Sequence, residues 1–311
     1  MIVVCGEALF DVFAGEQTPG GIELSARIGG SPFNLAVGLA RLGVPPVFFG
    51  GLSRDLFGQR LYGALEAEHV DLSGAPRPDA QTALVVVSLD QHGVPAYRFY
   101  GCATAERSVL PGDLARVPLD ATVIHVGSYC MVTDPVAGTL RALIERQLGR
   151  SLIAYDPNIR LVVEPSVQVW RDTLEWMLPR TGLLKVSDED LTHLYPHWTP
   201  QDFARHALRS GVQLVVVTRG GQGVLAAGAH GATAEVPAVP VDVVDTVGAG
   251  DTFQAGLLSW LWRRGMLSVE GLRGLDSATL AQALRFAAHA AAITCSRRGA
   301  DLPRLAEVDS E

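Results

Sequence analysis

Short apolar runs alternate with amphipathic stretches along most of the chain. Ile2 to Cys5, Val47 to Phe49, Val123 to Val126, Leu152 to Tyr155, Leu183 to Val186 and Leu214 to Thr218 have strand length and almost no polar alternation. Such runs suit strands buried on both faces, and helical candidates within 134–149, 165–178 and 200–210 separate the later ones. The pattern predicts an α/β domain with a mainly parallel sheet. Val224 to Ala227 and Thr233 to Val236, joined by Gly228-Ala229-His230-Gly231, predict a hairpin near the end of that sheet. An Ala-rich helix from about Thr279 to Thr294 follows.

The early part of the chain departs from this rhythm. Ala8 to Phe13 is extended and interrupted by Asp11, Gln17 to Gly21 is rich in turn residues, and Ile22 to Ile28 alternates weakly. Residues from about 12 to 28 therefore predict a hairpin that leaves the core and returns. Thr82 to Leu89 and Ala96 to Tyr100 flank Asp90-Gln91-His92-Gly93 as a second hairpin. Between these excursions, Ser31 is read as a helix N-cap with Pro32 first in a helix that carries Leu35, Leu39 and Leu42 and ends at Gly43. Ser53 is expected to cap the next helix, with Leu56, Leu61 and Leu65 on its inner face. No repeat or long linker divides the chain, so one domain over 1–311 is expected, with lid strands from about 12–28 and 82–103.

Composition narrows the partners. Nearly half of the 311 residues are hydrophobic and 19% are charged, which fits a globular protein, and a formal net charge of -8 offers no basic footprint for nucleic acid or membrane. No basic leader with a long apolar region and no membrane-spanning run is visible, so a cytoplasmic protein acting on small molecules is expected. Cys5, Cys102, Cys130 and Cys295 lie far apart, in neither a zinc spacing nor a disulfide framework. Lys185 is the only lysine, and its neighbours Leu184 and Val186 exclude a Walker A loop. His193 and His197 are four apart with Pro196 between them, a poor geometry for a zinc pair.

The strongest chemical signal is Val243-Val244-Asp245-Thr246-Val247-Gly248-Ala249-Gly250-Asp251-Thr252, which passes from an apolar run through a glycine turn into a helix. Such a turn aims backbone N–H groups at one spot, where the helix dipole favours an anion. A carboxylate at its rim, Asp251, is either a base for a hydroxylic substrate or a helix cap. Gly29-Gly30-Ser31-Pro32-Phe33-Asn34 is a second glycine-containing helix start, where Asn34 is a candidate for sugar hydroxyls and otherwise a plain first-turn residue. Asp11 at a strand end can chelate two neighbouring hydroxyls or serve as a surface charge.

Together these stretches strongly resemble the two signatures of the ribokinase-like carbohydrate kinases (PfkB family), with the right separation. The resemblance covers nearly the whole chain through Asp156-Pro157-Asn158-Ile159-Arg160, Thr218-Arg219-Gly220-Gly221 and Arg297-Arg298-Gly299-Ala300-Asp301, and is nearest to bacterial fructokinases. It implies a ribokinase-like three-layer α/β/α sandwich with a small β lid, ATP and Mg2+ as cofactors, and phosphorylation of a sugar primary hydroxyl, with fructose first. Asp251 would be the base, and Gly248, Ala249 and Gly250 the anion hole. Asp11, Gly30, Asn34 and Phe99 would hold the sugar. Arg160, Lys185, Ser187, Thr218, Gly220 and His289 would border the nucleotide. Asp190 would organise Mg2+, and Asp245 with the Val247 carbonyl matches a site for K+. Tyr97, Phe99 and Tyr100 are open to sugar stacking, to burial, or to a homodimer formed through the lid.

Several positions depart from the family pattern. Ser187 and Asp190 replace the usual Asn and Glu, His289 stands where related kinases often carry Asn, and Gly101 follows Phe99-Tyr100 where many fructokinases have Arg. Acceptors such as 2-keto-3-deoxygluconate or ribose therefore stay open. A nicotinamide-dependent dehydrogenase would share the alternating architecture, but Cys5-Gly6-Glu7-Ala8-Leu9-Phe10 lacks its glycine fingerprint. A non-catalytic sugar-binding regulator would keep Asp11 and Asn34 without needing Asp251.

Overall fold

The computed structural model describes residues 1–89 and 95–309. The proposed turn at Asp90-Gln91-His92-Gly93 lies outside the described residues. Among the described residues, twelve strands run in chain order: β1 Ile2–Cys5, β2 Leu9–Thr18, β3 Gly21–Gly29, β4 Pro46–Phe49, β5 Leu84–Leu89, β6 Pro95–Tyr100, β7 Val123–Gly127, β8 Leu152–Asp156, β9 Leu183–Ser187, β10 Leu214–Thr218, β11 Val224–Gly228 and β12 Thr233–Val236. The α-helices are α1 Ser31–Arg41, α2 Leu56–Ala67, α3 Val136–Gln147, α4 Val167–Met177, α5 Asp188–Leu194, α6 Pro200–Arg209, α7 Ala249–Arg263, α8 Val269–Arg273, α9 Ser277–Cys295 and α10 Leu305–Val308.

Eight strands form the main sheet in the order β12-β11-β10-β9-β8-β7-β1-β4. β4, β1, β7, β8, β9 and β10 pair in parallel, and β11 and β12 add an antiparallel edge. Successive side chains of a strand point to opposite faces, and the core divides accordingly. Val4, Ala154, Leu183 and Val216 pack with α1, α2, α7 and α9 on one face. Val3, Cys5, Ile153, Leu184 and Val217 pack with α3, α4 and α6 on the other. The expected α/β/α layering follows from that alternation.

A second sheet, β3-β2-β5-β6, is built from the two early excursions. β2 pairs antiparallel with β3 and parallel with β5, so two distant hairpins join into one surface. β2 begins nearer the core than the pattern suggested, and its register against β3 shifts between Ala14 and Gln17. Asp55 fastens the neighbouring loop: its carboxylate accepts from Gly58 N–H at 2.7 Å, and from the Thr82 N–H and hydroxyl just before β5. Asp55, rather than Ser53, is thus the cap of α2; Ser53 Oγ instead accepts from Asp55 N–H at 3.0 Å. Among the described residues, no helix is long and apolar enough to cross a membrane.

Candidate active site

Both glycine-containing helix starts begin earlier than their polar residues suggest. α1 starts at Ser31 with Gly30 in the cap position, and no side chain caps it. Ser31 is therefore not the N-cap, because its hydroxyl is used elsewhere. α7 starts at Ala249 after Gly248, whose backbone is left-handed at φ 80°. That conformation suits glycine, and a Cβ there would lie 2.7 Å from the Ala300 Cβ. Asp251 thus lies in the first turn of α7 and is not its cap.

Freed from capping, the Asp251 carboxylate bridges the two helix starts. Ser31 Oγ donates to its Oδ1 at 2.6 Å and Asn34 Nδ2 to its Oδ2 at 2.8 Å, across more than two hundred residues of chain. The two hydrogen bonds fix the carboxylate at the N-terminal end of α7. Asn34, expected to hold sugar hydroxyls, orients the carboxylate in this structure.

The closing Arg297–Asp301 stretch supports the turn from behind. Gly299 N–H donates to Asp245 Oδ2 at 2.8 Å, while Val247 N–H donates to Oδ1 at 3.1 Å. Ala300 fills the space beside Gly248, and Asp301 pairs with Arg41 of α1 at 3.1 Å. Asp245 is accordingly a brace of the turn.

A cleft of about 890 Å3 runs along the C-terminal ends of the parallel strands and under the second sheet. It lies where the chain order reverses about β1, the usual ligand position of such sheets. Asp11, Gly30, Asn34 and Phe99 line one part with Gly248, Ala249, Gly250 and Asp251. Arg160, Lys185, Ser187, Asp190, Thr218, Gly220 and Val247 also line it, as do Ala288, Ala291 and Ala292 of α9. His289 and Asp245 do not. Of the three lid aromatics, Tyr97 and Phe99 face the cleft and Tyr100 points away, 61% exposed.

Local chemistry sorts these residues further. Asp11 is mostly buried, which raises its carboxyl above the ordinary value, and the charge of Arg160 opposes the rise. Arg160 therefore lies within electrostatic reach of Asp11 at the acceptor end. Gly29 leaves the room that the Asp11 carboxylate occupies. Ser187 caps α5 by accepting from Asp190 N–H at 3.0 Å, and buried Asp190 accepts from Ile159 N–H at 3.1 Å. This pair ties the Asp156–Arg160 loop to the end of β9.

Lys185, the sole lysine, is 4% exposed, and its Nζ donates to Asp156 Oδ2 at 2.8 Å. A Cβ on Gly250 would lie 3.3 Å from the same Nζ, so the ammonium sits directly behind the glycine turn. Burial alone would lower its pKa; the carboxylates of Asp156, Asp190 and Asp251 outweigh that and raise it. A fixed positive charge therefore underlies the anion-binding turn.

Gly101 also has a structural reason. A Cβ there would fall within the Phe99 ring, which folds back against Tyr129 at 5.3 Å between centroids. The sequence pattern missed the bridging role of Ser31 and the Lys185–Asp156 pair. A charged residue inside an otherwise apolar strand, as in Leu184-Lys185-Val186, was the available signal for the second.

Comparison with known proteins identifies the family and the fold. Residues 1–306 match the family model described as pfkB family carbohydrate kinase. A fructokinase of Rhizobium leguminosarum bv. trifolii is 35% identical over 287 residues, covering 90% of this chain and 85% of that protein. The solved fructokinase of Xylella fastidiosa with bound ATP superposes with a TM-score of 0.86 at 27% identity, over 99% of this chain and 97% of the other. Fructokinase from Vibrio cholerae O395, solved with fructose, ADP and calcium ion, gives 0.83 at 27% identity over 99% and 97%. With its ribokinase-like fold and its bridged Asp251, the chain belongs to the pfkB family of carbohydrate kinases.

Proposed function

We propose that this protein transfers the terminal phosphoryl group of ATP to the primary hydroxyl of fructose, giving fructose 6-phosphate. The observation that carries the reading is the Asp251 carboxylate held by Ser31 and Asn34 at the N-terminal turn of α7. So placed, Asp251 accepts the proton of the attacking hydroxyl. The N–H groups of Gly248 and Gly250 face the charge that develops on the transferred group, whereas Ala249 N–H, expected to join them, donates to the Thr246 carbonyl at 3.2 Å; the Lys185 ammonium behind the turn adds to the potential. Asp11, Gly30 and Asn34 position the sugar, and Phe99 with the second sheet covers it and excludes water. Arg160 serves the phosphate that passes between the two halves of the cleft. Thr218 and Gly220 border the nucleotide, with Ser187 beside them; His289, on α9 but off the cleft lining, is left to a contact with the base edge.

The acidic residues suit Mg2+. Asp190 lines the cleft and would reach a hard cation that keeps most of its ligands as water and phosphate oxygen; Asp156, whose Oδ1 has no hydrogen-bond partner among the described residues, lies behind it, paired with Lys185 and off the lining. Bound there, Mg2+ would neutralise charge on the phosphates. Asp245 and the Val247 carbonyl are the proposed K+ site; exchange of K+ for a large organic cation is expected to lower the rate, and an unchanged rate removes that site.

A panel of sugars assayed for ADP release with ATP and Mg2+ tests the reading. Fructose is expected to give the highest kcat/KM, and failure of every sugar to exceed background ATP hydrolysis overturns the kinase assignment. One feature favours a second acceptor such as 2-keto-3-deoxygluconate or ribose: Gly101 leaves the lid strand without an arginine at that place, so the panel includes both. A second copy of the chain is proposed to cover the open face of the small sheet, where Ile22 and Leu24 are 57% and 62% exposed.

A further inference from the structure

The floor of the acceptor end is made by the Gly6–Ala8 link between β1 and β2. Gly6 has φ +138°, and a Cβ on Gly30 would lie 2.8 Å from the Glu7 carbonyl oxygen, so the Gly29–Gly30 turn rests on Glu7. The Glu7 side chain is 2% exposed yet borders the cleft, on the same side as Asp11 and Phe99. Its Oε2 has no hydrogen-bond partner among the described residues. A carboxyl group in such a place is costly to bury unless something pairs with it. The neighbouring protein meets that need in part: Ser128 and Cys130 stand against the carboxyl group, and the charge of Arg160, which also lines the cleft, acts on it. Glu106 is another buried carboxyl with its own unpartnered Oε2, occupied on Oε1 by Thr104 at 2.6 Å and Tyr129 at 3.4 Å. Arg107, the nearest cation to Glu106, lies over the Phe99 and Tyr129 rings. Beyond these neighbours, Glu7 borders the cleft.

We propose that Glu7 is a specificity-determining residue of the acceptor site, where its carboxyl group hydrogen-bonds one hydroxyl of the bound sugar. The inference rests on the sugar-kinase reading and deepens it, because it names a contact in the floor that Asp11 and Asn34 do not make. A site built around a hydroxyl rejects an analogue lacking it, since the buried polar group is then left unpaired. Glu106 shares the burial of Glu7 but does not line the cleft, and so separates recognition from mere packing.

The test compares wild type, Glu7→Ala, Glu7→Gln and Glu106→Gln on the best sugar of the panel and its monodeoxy analogues, with KM for sugar and for ATP measured separately. Wild type is expected to discriminate strongly against one analogue. In Glu7→Ala that discrimination should shrink roughly ten-fold, with a raised sugar KM and an ATP KM little changed. Glu7→Gln keeps the volume and part of the hydrogen bonding, so it should show the same change more weakly; it decides the matter if the alanine variant does not fold. Glu106→Gln should alter the melting temperature and leave the analogue profile as in wild type. An unchanged profile in the folded Glu7 variants overturns the assignment, as does an equal change in Glu106→Gln. Absence of sugar turnover by wild type counts against the kinase reading itself.

Discussion

Asp251 shows how a side chain's role depends on where its helix begins. Had α7 started at Asp251, the carboxylate would have been absorbed by backbone N–H groups; starting at Ala249 leaves it free for Ser31 and Asn34. Asp251→Asn keeps the size and can retain both contacts if the Asn34 amide turns over. Its kcat is expected to fall by roughly 10²–10⁴ with little change in melting temperature, and preserved turnover would remove Asp251 as the base. The buried acids predict a pH effect on stability. Burial raises Glu7 and Glu106 from the ordinary 4.5 to about 7, with Arg160 and Arg107 opposing in part. Between those values the folded chain holds protons that the unfolded chain has lost, so stability present below 4.5 drains away as pH rises to about 7. Melting temperature measured across that interval should decline, and the double replacement Glu7→Gln with Glu106→Gln should flatten the slope. Asp11, Asn34 and Asp251 were legible from residue type and position. Glu7 was not singled out, since its neighbours Cys5, Gly6 and Ala8 say nothing of an open cleft beside it.

At the level of elements, period and length located the parallel strands and the long helices because each of those strands is buried on both sides. The short α5 and α8 escaped, being seven and five residues long with too few turns to show an apolar stripe. Caps were less legible, as at Ser53, because whether a hydroxyl or carboxylate meets the helix N–H groups depends on the path of the preceding loop. The placement of Asp251 depends on the packing of α7 against α9. A Cβ on Gly256 would lie 2.9 Å from the Ala287 Cα, so the helices approach closely at that glycine. Gly256→Val is expected to cost about 1–3 kcal/mol by denaturant unfolding. It should also lower kcat, because separating the helices moves the first turn of α7.

The whole molecule combines a main sheet buried on both faces with a small sheet that exposes much of itself. Seven consecutive residues of β3, Gly21 to Arg27, are exposed, and two of them are Ile22 and Leu24. Leu24→Glu is therefore expected to leave kcat nearly unchanged and to convert a dimer into monomers in sedimentation velocity; a wild-type monomer at every concentration would dispose of the pairing. That two hairpins seventy residues apart share one sheet could not be seen from either, since the parallel β2–β5 pairing carries no local signal.

The burial of Lys185 has a consequence for the chain's reactivity. The other basic side chains are guanidinium and imidazole groups, so the only ε-amine is shut inside the protein against Asp156. An amine-directed acylating reagent should leave Lys185 of the native chain unlabelled. A label there should appear only as fast as the interior opens. One acylation count by mass spectrometry would then report the opening of the active-site floor without any engineered probe.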